Sequence, residues 1–143
     1  MIEPTRMEPV YSELAAPFWD ATTRSELVLQ WCVPCDAPIH YPRVACPRCL
    51  GTDLDWRKAS GCGVVYASTV LHRAGLPQMA ERVPYTVAIV DLDEGVRFMS
   101  NVVGCDPSVV RVGQRVRVAW EPLSEGRQWP VFEPDRQAQE VEG

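Results

Sequence analysis

Four cysteines set the chemistry open to this sequence. Cys32, Cys35, Cys46 and Cys49 form two C-x2-C pairs with ten residues between them. Each C-x2-C turn brings two thiolates and a pair of backbone N–H groups to one point. Four thiolates suit Zn²⁺, which takes soft donors in a closed tetrahedron. Pro34 and Pro47 fall inside the two turns, where a missing N–H and a fixed φ cost little. Arg48 and the backbone amides offset part of the negative charge. Such a site has no open position, so it reads as a folding staple and not as a Lewis acid.

Other uses of the four thiols are weaker. Disulfides need an oxidising compartment. The opening stretch MIEPTRMEPVYSEL is acidic, has no continuous apolar core and is no export signal, so the expected location is the cytoplasm. A single iron is not excluded by the spacing, although ten residues is a short gap for it. His40 lies between the pairs and, with four thiolates present, reads as a loop or surface histidine. Cys62 and Cys105 stand alone, as buried thiols commonly do. The sequence holds no G-x-S-x-G, no H-x-x-x-H and no Gly-rich phosphate loop, and no catalytic residue is assigned. Cys62 between Gly61 and Gly63 reads as the entry to a strand before it reads as a nucleophile. His72 reads as an exposed strand-end histidine.

The elements that must position the cysteines are mainly β. The chain has 143 residues, 46% of them hydrophobic and 23% charged, as in a globular protein of one compact domain plus an appendage. No apolar run approaches the ~20 residues of a membrane-crossing helix. The net charge is −5, with −3 on residues 1–30, +1 on 31–52, −1 on 53–134 and −2 on 135–143. No segment is a basic platform, which argues against a stand-alone nucleic-acid-binding ribbon and barrel, the alternative reading. A short helix is expected over Glu13 to Arg24, with Pro17 in its first turn and Phe18 and Trp19 behind it. These adjacent aromatics need a surface, either a partner protein or the chain's own barrel.

Leu27, Leu29 and Trp31 alternate into the first cysteine turn, Ile39 to Val44 should return, and Leu54 and Trp56 should leave the ribbon. Five strands follow, over Val64–Leu71, Tyr85–Leu92, Val96–Val103, Arg115–Trp120 and Gln128–Phe132. A tight turn lies at Asp93-Glu94-Gly95, a long loop at Arg73 to Pro84 and a helical turn at Asp106 to Val110. Five strands with a short helix between the third and fourth is the order of an OB-type barrel. The expected division is an N-terminal extension with a short helix over 1–28, a zinc ribbon over 29–58, a five-stranded barrel over 59–134 and a flexible tail over 135–143. Arg43, Arg48, Arg57 and Lys58 are the densest cationic group, suited to phosphates.

The chain resembles a known family, the proteins with a rubredoxin-like zinc ribbon joined to an OB-fold, called domain of unknown function 35 or acyl-CoA-associated OB-fold proteins. The matching stretches are Pro17-Phe18-Trp19, Leu29 to Cys35, Tyr41-Pro42-Arg43, Cys46 to Cys49, Gly61 to Tyr66, Pro84 to Arg97 and Val112-Gly113-Gln114. Asp36 stands where a small Gly is common in such turns; Asp can adopt the left-handed conformation at some cost. The resemblance implies a non-catalytic accessory subunit of a hetero-oligomer. Its partner would be a thiolase-fold or related acyl-CoA enzyme, an acyltransferase or retro-aldolase. It further implies that the chain scaffolds that partner and helps hold or enclose the acyl-CoA. Phe18 and Trp19 would then serve the partner interface, Arg43, Arg48, Arg57 and Lys58 the CoA, and the four cysteines a structural Zn²⁺.

Overall fold

A helix, a three-stranded sheet and a closed barrel follow one another in a computed structural model that describes residues 7–136. The expected tail lies outside the described residues from 137 onward. Helix α1 covers Ala16–Thr22, with Pro17 in its first turn as expected. It is shorter than the stretch Glu13 to Arg24 because Ser25, at φ 55°, turns the chain out of it. Seven residues cannot hold a helix alone in water. Tertiary contact supplies the rest: the Gln128 backbone N–H donates to Thr22 Oγ1 at 3.0 Å and Gln128 Nε2 donates to the Thr22 carbonyl at 2.8 Å.

Strands β1 (Val28–Cys32), β2 (Ala37–Ile39) and β3 (Leu54–Lys58) form the first sheet, antiparallel in the order β2-β1-β3. The return strand stops at Ile39 and does not run to Val44. Beyond it the chain is tied down by a side chain. The Gln30 amide is buried, donates to the Arg43 carbonyl at 2.7 Å and accepts from the Arg43 N–H at 2.8 Å. One glutamine thereby supplies both bonds that a continued ladder would have made.

The barrel contains β4 (Cys62–Leu71), β5 (Tyr85–Leu92), β6 (Arg97–Val102), β7 (Arg115–Pro122) and β8 (Gln128–Pro134), closed in the order β4-β5-β6-β8-β7. Strand β5 alternates strictly, with Thr86, Ala88, Val90 and Leu92 inward. Val65, Phe98, Val102, Val116 and Phe132 complete the interior. The long loop after β4 is not structureless. Pro77–Arg82 forms a 3-10 turn, pinned by Arg82 Nη1 donating to Glu121 Oε1 at 2.9 Å. The two glycines around Cys62 are barrel parts. A Cβ on Gly63 would lie 2.5 Å from the Asp91 carbonyl oxygen, and Gly61 sits at φ 80° against Val118. Close strand approach accounts for both without a reactive cysteine.

Candidate functional site

The cysteine turns are built by the ends of the ribbon strands. Cys32 ends β1, Cys35 lies in the turn to β2, and Cys46 and Cys49 lie in the loop before β3. The second turn closes on itself, with the Leu50 N–H donating to the Cys46 carbonyl and the Cys46 N–H to the Gly51 carbonyl, both at 2.9 Å. All four sulfurs lie within 4.8 Å of one another. Cys32 Sγ is 3.6 Å from Cys49 Sγ, and Cys35 Sγ is 4.0 Å from Cys46 Sγ. A tetrahedron of metal–sulfur bonds of ~2.3 Å has edges of ~3.8 Å, so the spacing fits one ion held by four thiolates. None of these cysteines is in a disulfide.

Backbone donors reach two of the four sulfurs at hydrogen-bond distance. The Arg48 N–H donates to Cys46 Sγ and the Gly51 N–H to Cys49 Sγ, each at 3.4 Å. Backbone donors from Cys49 and then Arg48 draw the Cys46 thiol down to about 6. Cys32 goes the other way, to about 12. The Cys35 amide lowers it, but burial and hydrogen bonds to the neighbouring thiols outweigh that donor. Four thiols crowded together resist losing every proton, and a divalent cation bound among them would supply the missing charge. The Arg48 guanidinium does not cover the cluster; it donates to the Pro38 carbonyl at 3.2 Å. Asp36 does take the left-handed conformation, at φ 51°, and its carboxylate is used. It accepts from Trp31 Nε1 at 3.2 Å and pairs with Arg57 at 3.5 Å.

The four expected cationic residues are split. Arg43 and Arg48 line a cavity of about 740 Å³ between ribbon and barrel, where Arg97 of β6 joins them. Arg97 is paired with Asp91 at 3.0 Å in the same cavity, whereas neither Arg43 nor Arg48 has an ion pair among the described residues. Arg57 is not in that cavity. It pairs with Asp36 and Asp55 and lies 4.9 Å from the Trp31 ring centroid. Lys58, at the end of β3, is exposed and does not line the cavity either. The sequence could not separate the pairs, since 43 and 48 sit in one loop and 57 and 58 in a strand.

Phe18 and Trp19 require a correction. They are not an exposed aromatic pair: 6% and 9% of their surfaces remain accessible. Phe18 stacks on Phe98 with centroids 6.2 Å apart, and Trp19 tilts against Trp129 at 5.5 Å. Burial on the chain's own barrel offsets the cost of holding a seven-residue helix. His40 is corrected as well. It is half-buried, with its ring on Phe98 at 4.5 Å and on Tyr41 at 4.1 Å, and its Nε2 is buried without a hydrogen-bond partner. Burial pushes its pKa down to about 4, so the ring is neutral. His72, just past β4, is exposed as expected. No hydrogen bond among the described residues joins either histidine to a hydroxyl, thiol or carboxylate.

Comparison with known proteins places these features in company. Residues 19–55 match the family model for the ChsH2 rubredoxin-like zinc ribbon domain, and residues 56–121 the model for the ChsH2 C-terminal OB-fold domain. A probable enoyl-CoA hydratase alpha subunit of Thermomonospora curvata is 35% identical over 90% of this chain. The chain spans only 40% of that protein's length. A DUF35 domain-containing scaffold protein of Methanothermobacter thermautotrophicus is 32% identical, over 66% of this chain and 71% of its own. One chain of the structure described as Ltp2-ChsH2(DUF35) aldolase superimposes with a TM-score of 0.79 at 35% identity, over 89% of this chain and 98% of that one.

Proposed function

Because the chain belongs to the DUF35 family of zinc-ribbon and OB-fold proteins, we propose that it is a non-catalytic accessory subunit of an acyl-CoA enzyme. The partner is a thiolase-like acyltransferase or a retro-aldolase, and it carries the chemistry. This chain scaffolds the assembly and holds part of the acyl-CoA. The observation that supports the reading most is the match over 98% of a chain from an aldolase structure with two named components.

Within that role Cys32, Cys35, Cys46 and Cys49 hold one structural Zn²⁺, which fastens the ribbon and leaves no position open to substrate. The cavity of Arg43 and Arg48 takes phosphates of CoA, since guanidinium forks bind phosphate bidentately. Arg57 and Lys58 lie outside that cavity. The Phe18–Trp19 pair anchors α1 on the barrel.

The test is purification from the native cell, followed by size-exclusion chromatography and identification of the co-eluting polypeptide. The expected result is a complex with an acyl-CoA enzyme. A chain that elutes alone, or that cleaves or condenses acyl-CoA by itself, sinks the reading.

A further inference from the structure

The outside of the barrel carries a cleft of about 420 Å³ that no ribbon residue lines. Its walls are Leu76, Met79, Tyr85, Val87, Met99 and Trp129. Tyr85, Val87 and Met99 lie on the sides of β5 and β6 opposite the buried Thr86, Ala88 and Phe98. Ser100 and Asn101 also line the cleft, but both are engaged by the chain itself. Ser100 Oγ donates to the Pro130 carbonyl at 2.6 Å and Asn101 Nδ2 to the Thr86 carbonyl at 2.9 Å. Met99 is 56% and Leu76 42% exposed, although both are large and apolar. The extended segment 7–12 closes one side through Met7 and Pro9. It makes no backbone–backbone hydrogen bond to the barrel among the described residues. Side chains hold it: Glu8 Oε1 accepts from the Ser124 N–H at 2.7 Å, and Tyr11 OH donates to Asp20 Oδ1 at 2.8 Å. A wall pinned this way can shift without breaking a strand, and Met7, Met79 and Met99 can adapt to the shape that enters.

Exposed apolar side chains grouped around a cleft mark an interaction site. The charges of the bordering segments select the occupant. Residues 7–20 contain Glu8, Glu13 and Asp20 and no Lys or Arg. The turn Pro77–Arg82 adds Glu81, and its one cation, Arg82, is paired with Glu121. All four of these carboxylate residues are exposed, and none has an ion pair among the described residues. Such a border repels an anionic ligand such as a fatty acid or an acyl-CoA. It attracts a protein segment whose apolar side chains are flanked by Lys or Arg. We propose that this cleft is the docking site for the acyl-CoA enzyme subunit, which enters it with apolar side chains flanked by Lys or Arg. The proposal rests on the accessory-subunit reading given above and assigns that reading a surface. It moves the interface from the buried Phe18 and Trp19 to the outer side of β5 and β6 and to Trp129, against which Trp19 leans.

The experiment is hydroxyl-radical footprinting of the full chain, alone and in the complex purified from the native cell with its acyl-CoA enzyme. Met99 and Leu76 should be oxidised in the free chain and lose most of that oxidation in the complex, a readout that needs no variant to fold. Leu76→Arg lies outside every strand. It should weaken association by about tenfold or more, because it replaces an apolar anchor with a charge that a basic segment repels. Zinc content and thermal unfolding should stay as in the parent. A complex that forms with Met99 and Leu76 still fully oxidised would overturn the docking site and leave the accessory-subunit reading standing. Shielding in a particle made only of two copies of this chain would overturn the occupant. A chain that binds no acyl-CoA enzyme would remove that reading and this inference together.

Discussion

The ribbon and the barrel sit side by side in one chain and are held together by different physics. The ribbon's own buried cluster is Cys32, Ile39 and Cys46, with Cys35 and Leu54 against it. Three of those five side chains are thiols of the candidate metal centre. The barrel shares with α1 a continuous cluster running from Phe18 through Val65, Val90 and Phe98 to Phe132, and the ribbon adds only Leu29 of β1 and the half-buried Trp56 of β3 to it. A sheet of three short strands cannot bury enough apolar surface to meet its conformational entropy, so a cross-link must do so. A closed five-stranded barrel can. The four-thiol site should therefore matter far more to the stability of the ribbon than to that of the barrel.

The sharpest way to break that comparison is to remove the metal. Cys46→Ser, or treatment with a strong chelator, should abolish zinc content and amide protection across residues 28–58, because thiolate metal sites couple binding to folding. Barrel amides in β5 and β8 should stay protected in hydrogen exchange. Loss of protection in both lobes at once would show a single cooperative unit instead. Metal analysis of the untreated protein should give one zinc per chain, and iron in its place would overturn the assignment.

The reverse experiment attacks the barrel. Phe132 is fully buried in β8, and Phe132→Ala should destabilise by about 3–5 kcal/mol through lost transfer energy and a cavity. Denaturant titration followed by Trp fluorescence measures it. Zinc stoichiometry should remain unchanged in the folded variant, which separates this change from the cysteine one.

His40 sharpens the comparison because it ties the lobes, lying just after β2 of the ribbon and stacking on Phe98 of the barrel. Its folded pKa of about 4 is below the ordinary histidine value because burial disfavours the imidazolium. The unfolded chain binds the proton near pH 6.5 and the folded chain does not. Stability from this group is therefore complete above that pH and falls as pH drops toward 4, by about 3 kcal/mol. His40→Phe keeps the stack and should flatten that part of the pH profile. The difference between variant and parent at each pH is the measurement, since thiolate protonation affects both equally. Parallel profiles would refute the burial argument.

The smallest effect is expected at Arg57. Its ion pairs to Asp36 and Asp55 are exposed, so Arg57→Ala should change stability by less than about 1 kcal/mol. It should leave CoA affinity unaltered, whereas Arg48→Ala should weaken it. A CoA defect in Arg57→Ala would reunite the cationic group that the structure divides.

The sequence alone determined the features written in short-range spacing. Two C-x2-C turns bring the thiols of each pair together, and the short ribbon between them unites the pairs. Period-two alternation in Tyr85–Leu92 and around Val116 marks strands within a residue or two, because a pleated chain alternates its faces whatever it packs against. Asp93-Glu94-Gly95 and Asp106-Pro107 mark their turns by local chemistry. Only the tertiary structure decided the rest, and each case depends on residues far apart in the chain. Phe18 and Trp19 are buried because Phe98 and Trp129 lie opposite them. The return strand ends early because Gln30, thirteen residues away, takes the bonds of Arg43. Arg43 and Arg48 part from Arg57 and Lys58 because the loop faces the barrel and Arg57 of β3 is bound to Asp36 and Asp55. His40 is neutral because the barrel closes over its ring. A local pattern fixes which way a side chain can point; what it meets there is set by contacts that no local window contains.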